Sequence, residues 1–410
     1  MKILVISNLY PPDIYGGCEI LCNQVCEGFE KKGHQISVLT SIPSREEFWQ
    51  KGKDNHILRR LKLTMPFEQP PSEINFWHKR KTFRRNFAET RQCIQQLKPD
   101  LIFVWSQLRL TMGAVRAALD CALPIAFTFN DESIAGYLPR RSLFEPGRLS
   151  RYISTDLLSP DNSIQNIHFS HATCISNTLK SNLVAKGVPL QNSKVIYQGI
   201  PLEQFVLKPE PGALGSPVKI LYTGSLLAQK GVHTIIDAVH QVAHRLGKEK
   251  LVLTVVGEGP EDYVQMLQAR ASSGSARIEF SGRIPYAEIA AIYRQHDILV
   301  FASNSVEAFG LTPLEAMASG TTLVSTDRGG HGEMLKDRNN ALIFQEEDVG
   351  QLASRIELLI KNPALSRELA KSARATVEQH FSIDRYVRDL EHFLLDAQKI
   401  TATESLHLTV

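Results

Sequence analysis

Two carboxylates, Glu307 and Glu315, flank seven residues in the stretch Glu307-Ala308-Phe309-Gly310-Leu311-Thr312-Pro313-Leu314-Glu315-Ala316-Met317. Thr312, Pro313 and Glu315 suit the N-cap, first and third positions of a helix, so Glu315 has an ordinary use in a capping box. Glu307 has none, because an acid in an apolar loop just ahead of a helix caps nothing. The N–H groups near Phe309–Thr312 would present an anion site at the helix start. Around it, one carboxylate can accept hydrogen bonds from sugar hydroxyls and the other from a ribose. A diphosphate at a helix N-terminus, flanked by acids that take hydroxyls, describes a nucleotide-sugar site.

Three other turns invite the same question. Asn8-Leu9-Tyr10-Pro11-Pro12-Asp13-Ile14-Tyr15-Gly16-Gly17 joins a strand to a helix. Paired glycines there either let backbone amides approach an oxyanion or simply make the turn. Gly224-Ser225-Leu226-Leu227-Ala228-Gln229-Lys230-Gly231 lacks the order of a P-loop, yet Lys230 sits beside a helix start where an ammonium can pair with phosphate. A lone loop lysine is otherwise an ordinary solvated side chain. Val256-Gly257-Glu258-Gly259-Pro260 lacks the third glycine of a dinucleotide fingerprint and reads as a plain turn.

These residues need strands and helices to hold them. Apolar runs rich in Val and Ile mark strands at Lys2–Ser7, Gln35–Ser41, Leu101–Trp105, Ile125–Phe129, Ala172–Ser176 and Lys194–Gln198. A second series runs Val218–Thr223, Leu251–Val256, Arg277–Ser281, Ile298–Ala302, Thr322–Ser325 and Ala341–Phe344. Apolarity without alternation belongs to strands buried on both faces, and stretches of helical period separate them. The pattern predicts an α/β chain with two doubly wound, Rossmann-like domains facing a cleft. The expected limits are 1–199, 200–383 and a closing segment 384–410. Ile200–Pro217, with four prolines and two glycines, reads as the linker. The last helix is too apolar on one face to be free. Either domain could cover that face, and the N-terminal one is expected to.

Composition narrows the functional classes. With 410 residues and 43% apolar content the chain is long enough for two cores and is neither disordered nor collagen-like. A net charge of +3 excludes a bulk polyelectrolyte partner, although residues 1–200 carry +8 and residues 201–410 carry −5. Cys18, Cys22 and Cys26 fall on one helical face as small apolar residues rather than as a zinc or disulfide pattern. The N-terminus opens on a strand-like MKILVIS, and no apolar run is long enough to span a bilayer. The expectation is a cytoplasmic protein.

The Glu307/Glu315 pair within FGLTPLEAMASG resembles the E-x7-E motif of family-four retaining glycosyltransferases with the GT-B fold. YPPDIYGG, Gln229-Lys230-Gly231, the VVGEGP turn and Gly329-Gly330-His331-Gly332-Glu333 resemble further landmarks of that family, from about residue 2 to 395. The resemblance implies a nucleotide-diphosphate sugar donor, UDP- or GDP-linked, and a carbohydrate or lipid-linked acceptor. It implies polysaccharide or glycolipid assembly, with no metal and no cofactor. Glu307 would contact the donor sugar and Glu315 the ribose. Lys230, Gly17 and Gly16 would bind the diphosphate with the amides of Leu311 and Thr312, while Ser225, Phe309 and Gly310 complete the donor set. Lys230 and Glu307 would be the catalytic pair. Two residues depart from the family pattern. Ser225 stands where an arginine is usual, and Asn130 stands where an active-site histidine is usual, leaving it a sugar contact that cannot act as acid or base.

The segment Asn75–Arg91 interleaves six basic residues with Phe76, Trp77, Phe83 and Phe87. It suits either contact with an anionic membrane or an ordinary helix with its aromatics in the core. Nucleic acid is not expected, since no recognition motif accompanies the charge. The leading expectation is therefore a retaining glycosyltransferase. The alternative is a catalytically weak sugar-nucleotide-binding or assembly protein on the same scaffold, motivated by Ser225 and Asn130. A GT-B epimerase shares the fold without residues that point to it. Donor and acceptor choice would depend on loops in Ser44–Ser72 and Asp131–Ile167, which carry no readable pattern.

Overall fold

A computed structural model describes residues 1–43, 55–67, 75–138, 163–164 and 166–407. The loops expected to choose donor and acceptor lie largely outside them. The chain divides into two compact units, Met1–Tyr197 with Tyr386–Val410, and Gln198–Arg385.

The first unit is built on β1 (Lys2–Ile6), β2 (Gln35–Ser41), β3 (Ile57–Leu61), β4 (Leu101–Val104), β5 (Ile125–Phe129), β6 (Ala172–Cys174) and β7 (Lys194–Val195). All pair in parallel, in the order β3-β2-β1-β4-β5-β6-β7. Helices α1 (Gly17–Lys31), α2 (Phe76–Leu97), α3 (Gly113–Leu119) and α4 (Asn177–Ala185) connect them. β4 is buried at every position, as its apolar run requires.

β3 was not anticipated from the sequence, because Ile57-Leu58-Arg59-Arg60-Leu61 carries two arginines in five residues. Arg59 is nonetheless buried, and its guanidinium donates to the carbonyls of Tyr10, at 3.2 Å, and of Pro11. A charge is tolerated there because backbone carbonyls of the β1–α1 loop satisfy it.

Helix α2 docks through small and polar residues. Asn86 is fully buried and makes three bonds: its Oδ1 accepts from Lys62 N at 2.8 Å, and its Nδ2 donates to the carbonyls of Lys62 and Leu110. Phe76, Phe83 and Phe87 are half-buried, whereas Trp77 is 69% exposed. The aromatics are thus neither wholly in the core nor wholly on the surface.

The second unit repeats the plan with β8 (Val218–Thr223), β9 (Leu251–Val256), β10 (Arg277–Gly282), β11 (Ile298–Phe301), β12 (Thr322–Ser325) and β13 (Leu342–Ile343). The parallel order is β10-β9-β8-β11-β12-β13. Helices α5 (Val232–Leu246), α6 (Glu261–Ser272), α7 (Tyr286–Gln295), α8 (Leu311–Ser319), α9 (Val349–Lys361) and α10 (Pro363–His380) cover it. Its core joins Ile235, Ile236 and Val239 of α5 to Leu253 and Val255 of β9 and Ile356 and Leu359 of α9. Both sheets follow the doubly wound order that reverses beside the first strand, at β1/β4 and at β8/β11. Helix α11 (Ile383–His407) begins in the second unit and belongs to the first from Tyr386 onward. Its Glu391 pairs there with Lys32 at 2.8 Å and with His34 at 2.9 Å, and its Tyr386, Leu390 and Leu394 are fully buried.

Helices α2 and α3 meet backbone to backbone at Gly113, where a Cβ would stand 2.3 Å from the Phe83 carbonyl oxygen. Gly113→Ala is expected to lower stability by roughly 1–3 kcal/mol through overpacking. Thermal unfolding reads this as a lower midpoint, and a midpoint within a degree of wild type would show that the contact does not constrain the fold.

Candidate functional site

At a strand-order reversal the helices after two neighbouring strands pass to opposite faces of the sheet, so their loops part and leave a crevice. In the second unit those loops are Gly224–Gly231, after β8, and Ala302–Gly310, after β11. They are laced together through the backbone. Asn304 N donates to Gln229 O at 2.9 Å, and the next loop along, after β9, receives Leu226 N on Glu258 O at 2.8 Å. The turn Val256–Pro260 therefore does more than reverse the chain: it supports the loop that carries Lys230. On the other side Gly330 N donates to Glu307 O at 2.7 Å, and residues 307 and 329 form a parallel bridge. Gly329 has φ +121°, and a Cβ there would lie 2.5 Å from both Glu307 N and Glu307 O. Only glycine allows this close approach.

The lacing brings Lys230 and Glu307 into contact. Lys230 Nζ donates to Glu307 Oε1 at 2.5 Å, and Ser303 Oγ donates to the same oxygen at 2.5 Å. The side chains are 26% and 15% exposed, so the ion pair is sheltered yet open to solvent on one side. An ammonium and a carboxylate held side by side can serve an anion and a hydroxyl donor respectively. Ser225 lies exposed in the first of these loops, and its carbonyl accepts from the Tyr222 hydroxyl at 2.8 Å.

Helix α8 starts earlier than the capping-box reading requires. Gly310, at φ +87°, is the N-cap, Leu311 is the first helical residue, and Thr312 and Pro313 follow as second and third. Thr312 is therefore no cap and Glu315 lies in the body of the helix. Glycine takes the turn that a threonine cap would have made, and Pro313 still falls where its missing N–H costs nothing. The amides of Leu311 and Thr312 belong to the first turn and have no partner within the helix. The Phe309 side chain is buried, its ring 6.1 Å from that of Phe381, so only its backbone borders the crevice.

Without a capping role, Glu315 is a buried acid. Its Oε2 accepts from the Tyr293 hydroxyl at 2.8 Å, and that hydroxyl lies 3.0 Å from Thr223 Oγ1 at the end of β8. Burial pushes the carboxyl up to about 7, against the pull of the Tyr293 and Tyr286 hydroxyls. His331, not singled out within its glycine-rich segment, is fully buried beside Gly310. Its Nε2–H donates to Thr326 O at 2.9 Å, which fixes the tautomer, and burial holds its pKa below the usual histidine range. Among the described residues its Nδ1 has no hydrogen-bond partner.

Gly16, Gly17 and Asn130 lie in the first unit, at the ends of β1 and β5. Gly17 opens α1, whereas the Gly16 amide donates to Glu19 Oε2 at 2.8 Å and is engaged within the chain. Glu19 is buried, and burial raises its pKa. Asn130 donates through Nδ2 to the Trp105 carbonyl at 2.9 Å. Arg59, which shapes the loop before Gly17, had no signal in residue spacing, because its partners are the carbonyls of Tyr10 and Pro11, nearly fifty residues away. Glu19 stands three residues after Gly16, the spacing of a capping box, and that signal was there to be read.

The raised Glu315 carboxyl makes a stability prediction with a definite sign. The folded state holds this proton at pH values where the unfolded chain has lost it. The contribution of Glu315 is therefore full below about 4.5 and is lost as pH rises through about 7. Relative to wild type, Glu315→Gln should gain stability over that window, by at most on the order of 3 kcal/mol. Urea unfolding at a series of pH values measures it. A difference between the two proteins that stays flat with pH would mean the carboxyl titrates normally.

Comparison with known proteins places this architecture. The model for "Glycosyltransferase Family 4" matches residues 15–204, and the model for "Glycosyl transferases group 1" matches residues 205–376. A glycogen synthase of Mycobacterium tuberculosis is 26% identical over 391 residues, covering 93% of this chain and 91% of the relative. An alpha-monoglucosyldiacylglycerol synthase of Streptococcus pneumoniae is 24% identical, covering 97% and 86%. Among solved structures, Anabaena HepE in complex with UDP and glucose superposes with a TM-score of 0.72 at 19% identity, covering 96% of this chain and 99% of that one. Sucrose-phosphate synthase of Thermosynechococcus elongatus gives 0.73 at 20% identity, covering 98% and 99%. One model on each half, and the GT-B fold along the whole length, show that the chain belongs to the family-four, group 1 glycosyltransferases.

Proposed function

We propose that the protein transfers a hexose from a UDP- or GDP-sugar to an acceptor hydroxyl with retention of anomeric configuration. The observation that carries this reading is the Lys230–Glu307 pair beside the first turn of α8, at the strand-order reversal of the second sheet. In this reading Lys230 turns from Glu307 to the leaving diphosphate, joined by the Leu311 and Thr312 amides, Gly310 and the Phe309 backbone. Negative charge that develops on the leaving group is met by donors already in place. Glu307, released from the ammonium, accepts from hydroxyls of the donor sugar, and Glu315 accepts from the ribose. Ser225 lines the diphosphate loop without a charge, so Lys230 carries the cationic role, and no metal is needed for it. Gly17, with Gly16 supplying room rather than its amide, contributes at the start of α1. Asn130 contacts a sugar through its amide and takes no part in proton transfer.

The acceptor in this reading is a carbohydrate or lipid-linked molecule of polysaccharide or glycolipid assembly on the cytoplasmic face of a membrane. No helix among the described residues is long and apolar enough to cross a bilayer. Peripheral contact through α2 is supported by exposed Trp77 and exposed Lys81, Arg84, Arg85 and Arg91. The alternative, a sugar-nucleotide-binding or assembly protein with weak turnover, would bind donor without transfer.

Incubation with a panel of UDP- and GDP-sugars and cell-extract acceptors should release nucleoside diphosphate. Glu307→Gln and Lys230→Met should each lower that release by about 10²-fold or more. A product of inverted configuration would remove the retaining assignment, and tight donor binding without release would favour the alternative. For the membrane contact, sedimentation with phosphatidylglycerol vesicles should drop in the Arg84→Glu/Arg85→Glu variant and at high salt. Equal sedimentation of both proteins would exclude α2 as the contact.

A further inference from the structure

We propose that Tyr293 is a positioning residue for the ribose-binding carboxylate, holding Glu315 as a hydrogen-bond acceptor by donating to its Oε2 from a hydroxyl that Thr223 orients in turn. The inference rests on the proposed role of Glu315 at the ribose and goes further by naming what keeps that carboxylate fit for it.

The geometry is a three-residue chain inside the second unit. Thr223 closes β8, Tyr293 lies on α7, and Glu315 lies on α8, so one hydroxyl joins three elements around the strand-order reversal. Tyr293 is fully buried, and Thr223 and Glu315 are 7% exposed each. Its ring is fixed by an edge contact with Phe205 at 6.1 Å, and its own carbonyl accepts from Thr321 Oγ1 at 2.8 Å. A phenol has one proton. With that proton on Glu315 Oε2 at 2.8 Å, the Thr223 hydroxyl at 3.0 Å must donate to the tyrosine oxygen. With Glu315 ionised the chain therefore runs one way, Thr223 to Tyr293 to Glu315, and ends on the carboxylate.

A ribose diol presents two donors, which an ionised carboxylate can accept together and a protonated one cannot. Burial works against the ionised form, since no described lysine or arginine forms an ion pair with Glu315. The groups that face it from neighbouring elements are hydroxyls: Tyr293 and Tyr286 of α7 on the carboxyl itself, with Thr223 of β8 and Thr312 of α8 on the Tyr293 oxygen. Hydrogen bonds to the charged form favour it, so removing the Tyr293 hydroxyl should shift Glu315 toward the neutral acid. The loss would be reversible by alkali. A defect in packing would not be.

The experiment is calorimetric titration of the full chain with UDP and with 2′,3′-dideoxy-UDP at pH 7 and pH 9, with the GDP pair in parallel. Wild type should prefer the ribose-containing nucleotide. If it does not, or if Glu315→Gln binds as wild type does, the ribose reading of Glu315 fails whatever Tyr293 does. Given that preference, Tyr293→Phe should bind about tenfold more weakly than wild type at pH 7 and within about twofold at pH 9. Its affinity for the dideoxy nucleotide should match wild type at both. An equal loss at both pH values, or no loss at pH 7, would overturn the assignment of Tyr293 while leaving Glu315 in place. Thr223→Val, which keeps the ring in position, should show the same alkaline recovery from a smaller loss, with Thr223→Ser restoring wild-type behaviour. It decides the matter if Tyr293→Phe does not fold. If wild type binds none of the four nucleotides, the proposed function falls and the role of Tyr293 falls with it.

Discussion

The second unit depends on how a parallel sheet disposes of its loops. Each strand leaves at the same edge, and the reversal at β8 and β11 parts two neighbouring loops whose backbones would otherwise fill the space between them. A gap of this kind is useful only if its walls are rigid. Backbone bonds supply that rigidity: Asn304 to Gln229, Leu226 to Glu258, and Gly330 to Glu307. Loops of successive strands thus become a short irregular extension of the sheet, and Gly329 is required because that extension passes 2.5 Å from where its Cβ would be. The chemistry-bearing side chains stand on this extension rather than on free loops.

Environment separates the two acids that the motif presents as a pair. Glu307 keeps an ammonium and a serine hydroxyl within 2.5 Å and one side toward solvent. Glu315 is sealed among tyrosines, and burial raises its carboxyl to about 7. The same residue type is therefore paired with an ammonium in one place and brought close to neutrality by desolvation in the other. The open side of Glu307 suits the sugar contact proposed for it, whereas the ribose contact proposed for Glu315 rests on the family resemblance.

What was legible in the sequence was periodic and local. Gln35–Ser41, Ile125–Phe129, Val218–Thr223, Leu251–Val256 and Thr322–Ser325 are strands at the limits their apolar runs indicate. Long-range satisfaction of polar groups was not legible. β3 escaped notice because Arg59 finds its acceptors on Tyr10 and Pro11, nearly fifty residues away in the chain. The capping box at Thr312 failed because a glycine with positive φ competed for the same turn and won. The Lys230–Glu307 contact spans 77 positions and exists only once both loops share a sheet edge. His331 and Tyr293 look like ordinary residues until burial shows which of their atoms have partners.

The opposite charges of the two halves need a local reading. Residues 201–410 carry −5, a field that at long range would repel a nucleotide diphosphate. At physiological ionic strength that repulsion is screened beyond about 8 Å. Local groups then decide: α8 begins with unpaired first-turn amides, and Glu307, three residues before its N-cap, pairs with Lys230, so that the carboxylate nearly cancels the ammonium. An arriving diphosphate would compete with Glu307 for Lys230, and a sugar with hydroxyls to offer Glu307 would lower the cost of that exchange. A diphosphate without its sugar offers no such replacement. Under the proposed function the pair would discriminate the intact donor from the spent nucleotide by what happens to the displaced carboxylate, and the net charge of the half would have little part in it.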